Sequence, residues 1–169
     1  MGKLVKTKKK LIKTIDIEVA IAKYFGIGTH IIVPNISWGF DGMHECDLFV
    51  LKKSGYAAEV EIKISKADFM KDFQKAHQHV DPKNRIAHFY YAMPDYIYDK
   101  VKDMIPKNAG IFVCSRTSYD TIRVRCERSA KKIKNSRKLT LQEQFKIARL
   151  GTLRIWKLKE TVIKLKEKC

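Results

Sequence analysis

ECDLFVLKKSGYAAEVEIKIS, residues 45–65, contains two strand-length runs separated by Lys53-Ser54-Gly55. Runs of this length and β-branched content flanking a Gly-containing turn define a hairpin, Glu45 to Leu51 followed by Tyr56 to Ile64. Strand side chains alternate between faces, so Glu59, Glu61 and Lys63 share one face while Ala58, Val60, Ile62 and Ile64 share the other and build core. Asp47 lies on the partner strand, with Cys46, Leu48 and Val50 as core-side neighbours. The spacing from Asp47 to Glu61 suits adjacent antiparallel strands joined by a short turn. Two or three carboxylates and one ammonium therefore converge within a few ångströms.

Phosphodiester hydrolysis needs such a set. Hard carboxylate oxygens hold Mg²⁺ or Mn²⁺ and leave coordination positions for water and phosphate. The ion polarises the phosphoryl oxygen and makes the attacking water more acidic. A lysine one strand-step from a ligand orients that water or stabilises charge at phosphorus. The plain alternative is the solvent face of an edge hairpin, where Glu and Lys alternate for solubility alone. An isolated Glu-x-Lys triplet favours that alternative; the upstream Asp at hairpin distance and the elements on either side favour chemistry.

Those elements are legible. Ile12 to Phe25 has helical periodicity, with Leu11, Ile15, Val19 and Ala22 on one apolar stripe and Ile17, Ile21 and Tyr24 on a second. A helix apolar on two sides is expected to be covered on two sides, and Gly26 and Gly28 end it. His30 to Trp38 is strand-like, followed by a turn at Asp41-Gly42. After the hairpin, Ser65 with Asp68 resembles a capping box, opening a helix with Phe69, Phe73, Ala76 and Val80 on one face. Ala87 to Met93 reads as a strand buried on both faces. A short helix from Pro94-Asp95 stops at Pro106, and Ala109 to Ser115 pairs with Thr121 to Arg128. From Thr140 the chain is helical: Leu141, Phe145 and Ala148 share a face, as do Ile155, Leu158, Val162 and Leu165, and Gly151 is a point of break or bend. The order is α-β-β-β-α-β-α-β-β-α in one domain. A basic arm covers residues 1–11, the main domain 12–151, and a basic C-terminal helical extension 152–169.

Charge narrows the partner. The 169 residues carry 35 Lys and Arg against 18 Asp and Glu, a formal +17. From Ser129 to Cys169 there are 13 basic and 3 acidic residues, so +10 falls in the last quarter. Such a field captures polyanions, and nucleic acid is the commonest; a merely solvated Lys-rich surface is the alternative. No apolar run is long enough for a membrane span, and neither a secretory signal nor a myristoylation motif is visible. A cytoplasmic protein is expected. Cys46, Cys114, Cys126 and Cys169 form no Cys-x-x-Cys pair, so reduced thiols are expected rather than disulfides or zinc. His77 and His79, with His44 and His88, lack zinc-ligand spacing, and a phosphate contact or a surface role suits them better. Trp38 and Trp156 read as packing residues, whereas Tyr96 and Tyr98 are candidates for base stacking.

Cys46-Asp47-Leu48, then Val60-Glu61-Ile62-Lys63-Ile64-Ser65 running into Ala67-Asp68-Phe69 and Asp72, resembles the PD-(D/E)xK nuclease superfamily. The chain is most similar to its MmcB-like group of DNA-repair proteins. His88-Phe89-Tyr90-Tyr91-Ala92-Met93-Pro94, Ile105-Pro106, Ala109-Gly110-Ile111 and the basic helix near Leu150 fit the same pattern, over roughly residues 12 to 156. Glu45 departs from it, being acidic where a basic residue is expected. The resemblance implies an α/β, restriction-endonuclease-like core (α-β-β-β-α-β, a mixed sheet flanked by helices) with a basic C-terminal helix. It implies Asp47 and Glu61 as Mg²⁺ or Mn²⁺ ligands and Lys63 as the catalytic lysine. Glu18, on the first helix, is a candidate third ligand or a plain surface acid, and Glu59 a candidate supporting base behind the ligands. Lys66, Lys71, Lys75 and His77 are the expected DNA contacts. DNA, double-stranded or branched rather than RNA, is the expected partner; no membrane is, and a homodimer stays open. The expected activity is a metal-dependent endonuclease or repair nuclease. The alternative is a non-catalytic DNA-binding protein that retains the scaffold, and a modification-system or tRNA-processing enzyme is a third reading.

Overall fold

A computed structural model describes residues 10–36, 45–74 and 83–167. The elements follow the expected order: α1 (Thr14–Phe25), β1 (Ile31–Ile36), β2 (Cys46–Leu51), β3 (Ala57–Ile62), α2 (Lys66–Gln74), β4 (Ile86–Pro94), α3 (Asp95–Val101) with a 3₁₀ turn (Lys102–Met104), β5 (Gly110–Arg116), β6 (Ile122–Arg128) and α4 (Leu141–Lys166). The protein is α/β, with one six-stranded mixed sheet in sequence order, β1 to β6. Strands β1, β2 and β3 run as an antiparallel meander, β3–β4 and β4–β5 are parallel, and β5–β6 closes as a hairpin. The two parallel steps are bridged by α2 and α3, as parallel strands require a crossover.

The turn at Gly55 is tight: its N–H donates to the Lys52 carbonyl (2.8 Å), and its φ of +84° is one that L side chains resist. Gly26 caps α1 in the left-handed region, donating to the carbonyls of Ala22 and Lys23. Ser65 Oγ accepts the Asp68 N–H at 3.0 Å, as the sequence indicates for the start of α2. The second long helix is capped more fully. Thr140 Oγ1 accepts from the Glu143 N–H, the Glu143 carboxylate accepts from the Thr140 N–H at 2.8 Å, and Arg137 grips that carboxylate through two nitrogens. The Arg137 guanidinium holds the Glu143 carboxyl down at about 2.

Alternation along the strands sorts the core into two layers. Leu48, Val50, Ala58, Val60, Ile62, Tyr90, Ala92 and Phe112 face α1, which inserts Ile17 and Ile21. On the other side Phe69, Tyr91, Met93, Ile97 and Val113 pack with α2 and α3, and Ile147 of α4 packs with Val33, Phe49 and Leu51. Strand β4 is thus covered on both faces, as its apolar run indicates. Gly110 permits the tightest approach: a Cβ there would lie 2.2 Å from the Tyr90 ring and 2.7 Å from the Ala130 nitrogen. Tyr90 is itself stacked on Phe112 with centroids 4.6 Å apart, so it has little room to move. Gly110→Ala is therefore expected to destabilise the domain by about 1–3 kcal/mol, read as a lower urea midpoint with an unchanged slope.

Several expectations are corrected. Helix α1 is covered on one side only: Leu11, Ile15 and Val19 are exposed, while Ile17, Ile21, Tyr24 and Phe25 reach the sheet. Ile64 is exposed rather than core, since β3 ends at Ile62. Helix α4 runs unbroken through Gly151, where a Cβ would press on Val33 at 3.2 Å, so no structural boundary falls at 151/152. Leu141, Phe145, Ile155, Leu158, Val162, Leu165 and Trp156 are exposed; Ile147, with Leu150 beside it, packs the helix onto the sheet. Among the described cysteines, Cys46, Cys114 and Cys126 are free, and burial pushes the Cys114 thiol up to about 12. The expected turn at Asp41-Gly42, Trp38, His44, Ala76, Val80, His79, Cys169 and residues 1–9 of the arm lie outside the described residues. No helix among the described residues is long and apolar enough to cross a membrane.

Candidate functional site

Strands β2 and β3 pair from Leu51↔Ala57 to Leu48↔Val60, where the paired register ends. One step further, the Ile62 N–H donates to Asp47 Oδ2 at 2.8 Å, and the Lys63 N–H donates to the Ala92 carbonyl of β4 at 2.9 Å. A side-chain carboxylate thus takes up the amide at the point where the ladder stops, which fixes Asp47 against the end of β3. Continuing the register places Asp47 beside Glu61, and Glu61 is paired with Tyr91 on the far side. On the near side, Asn35 falls between the pairs Pro34↔Leu48 and Ile36↔Cys46, level with Asp47. Its φ of +51° is a left-handed kink in β1.

Glu59, Glu61 and Lys63 share a face, as strand alternation dictates, but that face is not a solvent face. Strand β3 is interior to the sheet, and the three residues are 0%, 6% and 6% exposed. The edge-hairpin alternative fails on this point. Charged residues are seldom buried without specific partners, and Lys63 Nζ lies 3.2 Å from Glu61 Oε2. Asp47 is half-buried. Loss of solvent pushes its carboxyl above the ordinary aspartate range, opposed by the Ile62 N–H, the charge of Lys63 and a hydrogen bond with Glu61; the charge of Asp68 adds to the rise. Glu18 on α1 is also pushed up, first by burial and then by the charge of Asp47, while a hydrogen bond from the Asn35 side chain opposes the rise.

Asp47, Glu61 and Lys63 are therefore brought together, with Glu59 buried two residues behind Glu61 and Glu18 within electrostatic reach of Asp47. Among the described residues no group of three His, Cys, Asp or Glu side chains is gathered as a metal site as the side chains stand. Lys66 and Lys71 are exposed on α2, which begins three residues past Lys63; Lys75 and His77 lie outside the described residues. His88 is half-buried, and burial together with Lys52 and Lys132 pushes its imidazole down. Tyr96 and Tyr98 pack against the α3 core cluster rather than standing free for bases. Sequence reasoning missed Asn35. The one signal for it was a polar residue directly after Pro34 inside a β-branched run.

No protein-family model matches the sequence, and no curated protein matches it. Among solved structures, a protein of unknown function from Silicibacter pomeroyi, SPO1766, is similar in fold, with a TM-score of 0.60 over 93% of this chain and 95% of that one. The two are 13% identical, so the likeness concerns the fold alone.

Proposed function

We propose that this chain is a metal-dependent DNA nuclease on a restriction-endonuclease-like core, with Asp47, Glu61 and Lys63 as its working residues. The observation that carries the reading is the meeting of two carboxylates and one ammonium at the point where β2 and β3 stop pairing. Asp47 and Glu61 are in hydrogen-bonding contact and partly desolvated. Two carboxylates so placed repel each other when both are ionised, and a shared proton or a divalent cation relieves that repulsion. The donor set suits Mg²⁺ or Mn²⁺, since Mg²⁺ is commonly held by one or two carboxylates and keeps several waters. An ion bound there supplies a polarised phosphoryl oxygen and a more acidic water.

The remaining work belongs to the chain. Asp47 is held by the Ile62 N–H and Glu61 by Lys63, so neither carboxylate has to be ordered when substrate arrives. Lys63 places positive charge next to Glu61, where negative charge develops on the non-bridging phosphate oxygens as water attacks phosphorus and the P–O bond to the leaving strand breaks. Lys66, the first residue of α2, and Lys71, in its last turn, offer phosphate contacts, and the +17 net charge supplies long-range attraction.

The test is cleavage of supercoiled, linear, single-stranded and branched DNA with Mg²⁺ and with Mn²⁺. Cleavage of at least one form, stopped by chelator, is the expected result. No cleavage of any form, with DNA still bound, would favour the non-catalytic scaffold. Salt dependence locates the grip: log affinity should fall by about 0.9 per phosphate neutralised for each tenfold rise in salt. Lys66→Glu with Lys71→Glu is expected to lower that slope by about 0.9 for each phosphate no longer neutralised, measured by anisotropy across a salt series.

A further inference from the structure

Helix α4 leaves the domain after Arg154, whose guanidinium bonds the Asn35 carbonyl, and from Ile155 to Glu167 every residue is exposed. That half is not polar. Ile155, Leu158, Val162 and Leu165 are 56%, 63%, 42% and 59% exposed, and their 3-4-3 spacing is the a/d repeat of a coiled-coil seam. The seam lies on the side that, one to three turns earlier, packs Ile147 and Gly151 onto β1. Four large aliphatic side chains in a row at one edge of a folded domain form a surface that water does not stabilise. Nucleic acid has no use for them, so the basic character of the helix does not account for the seam.

We infer that the exposed half of α4 docks against a helix of another protein that carries apolar residues on its own seam and acidic residues beside it. Charge selects this partner. The residues beside the seam are Lys159 and Lys166 on one flank and Arg154 and Thr161 on the other, while the acids Glu160 and Glu167 sit on the far face with Lys157 and Lys164. A second copy fits badly. Paired in parallel, Lys159 meets Arg154 of the other copy; paired antiparallel, the Lys159 and Lys166 rows meet each other. Like charges set against each other at an interface oppose association. A bilayer also fits badly, because Lys159 and Lys166 stand between the seam and the other apolar pair, Trp156 and Ile163. A flat surface would have to admit two ammonium groups inside its apolar arc. A single helix needs only the narrow seam and turns those same lysines into attractive flanks.

The test uses the full chain and two labelled, designed helical peptides with identical Leu/Ile seams, one flanked by Glu and the other by Lys. Fluorescence anisotropy is expected to show binding of the Glu-flanked peptide at least roughly tenfold tighter than of the Lys-flanked one. Val162→Asp is expected to remove it while leaving thermal unfolding and DNA cleavage unchanged, since Val162 touches neither the sheet core nor the site. Leu158→Asp, farther along the seam from Leu165, should repeat the loss. Equal binding of both peptides, or of neither, overturns the inference. So does a dimer in sedimentation that Val162→Asp dissolves, which would give the seam to a second copy. Binding to phosphatidylglycerol vesicles that Val162→Asp abolishes, without preference between peptides, would give it to a membrane and also overturns the inference.

Discussion

Replacing Lys63 by Gln is expected to lower metal-dependent DNA cleavage by about two to three orders of magnitude, the usual cost of removing one group that stabilises charge developing in the transition state. Gln is the informative substitution. Its amide can still donate to Glu61 Oε2, so the carboxylate keeps a hydrogen bond while the positive charge disappears. Lys63→Ala is a coarser test: it breaks an ion pair whose two side chains are each 8% exposed. Removing one member of a buried pair costs on the order of 3 kcal/mol in stability, so lost activity there must be separated from lost folding. Lys63→Arg should restore little, because a planar guanidinium does not fit the position of a compact ammonium. Metal and DNA binding by Lys63→Gln should stay close to wild type, because the charge acts mostly on the pentacoordinate species. Single-turnover rates on one cleavable DNA form, with Mn²⁺ affinity measured in parallel, decide the matter. Equal rates for wild type and Lys63→Gln would place any activity elsewhere in the chain or in a contaminant.

Local rules carried the reading of the sheet a long way. The hairpin at Lys53-Ser54-Gly55, the cap at Ser65, the doubly covered β4 and the whole order of elements follow from turn chemistry and periodicity, and the structure has them where those rules put them. Alternation also placed Glu59, Glu61 and Lys63 on one face and Ala58, Val60 and Ile62 on the other. What alternation does not encode is which strand is interior. The burial of the three charged residues depends on β4 lying alongside β3, a parallel pairing made through a crossover far along the chain. Asn35 was overlooked for a related reason. Its importance comes from a positive φ and from standing level with Asp47, and both are properties of pairing rather than of composition.

The helices were read less well because amphipathicity says which residues are apolar, not which of them find a partner. In α1 the two stripes look equal in sequence, yet Ile17, Ile21 and Tyr24 of the second meet the sheet while Leu11, Ile15 and Val19 of the first stay exposed. In α4 the more regular apolar pattern, from Ile155 to Leu165, faces solvent, and the helix is packed onto the sheet by Ile147 and Leu150, nearer its capped start. Arg137 and Glu143 hold that start by a bidentate pair. Helix length beyond the domain edge is set by sequence propensity, whereas burial stops where β1 stops.

Asp47→Asn should abolish divalent-metal binding and at the same time leave the metal-free domain as stable as wild type or more so. Burial is the main cause of the raised carboxyl pKa of Asp47, and the charge of Asp68 adds to it, against the opposing pull of the Ile62 N–H, the Lys63 charge and the hydrogen bond with Glu61. A raised carboxyl pKa means that the folded state holds the proton more tightly than the unfolded chain does. Such a group favours folding at pH below its unfolded value and loses that contribution as pH rises through its folded value. As pH rises towards neutral, the metal-free wild type therefore loses the stability that the tightly held proton contributes. Asn removes the charge and keeps an oxygen for the Ile62 N–H, so the stability of Asp47→Asn relative to wild type should increase between acidic and neutral pH. Metal reverses the comparison. At a free Mn²⁺ concentration one hundred times its dissociation constant, wild type should gain about 2.7 kcal/mol, and Asp47→Asn should gain nothing. Proton and cation compete for the same oxygens, so Mn²⁺ affinity of the wild type should weaken on acidification at a pH above the ordinary aspartate range. Calorimetric titration with Mn²⁺ and urea unfolding across pH, each with and without metal, read all of these effects. If Asp47→Asn is stabilised by Mn²⁺ as strongly as wild type, the metal is held by other residues and the assignment of this pair of carboxylates is wrong.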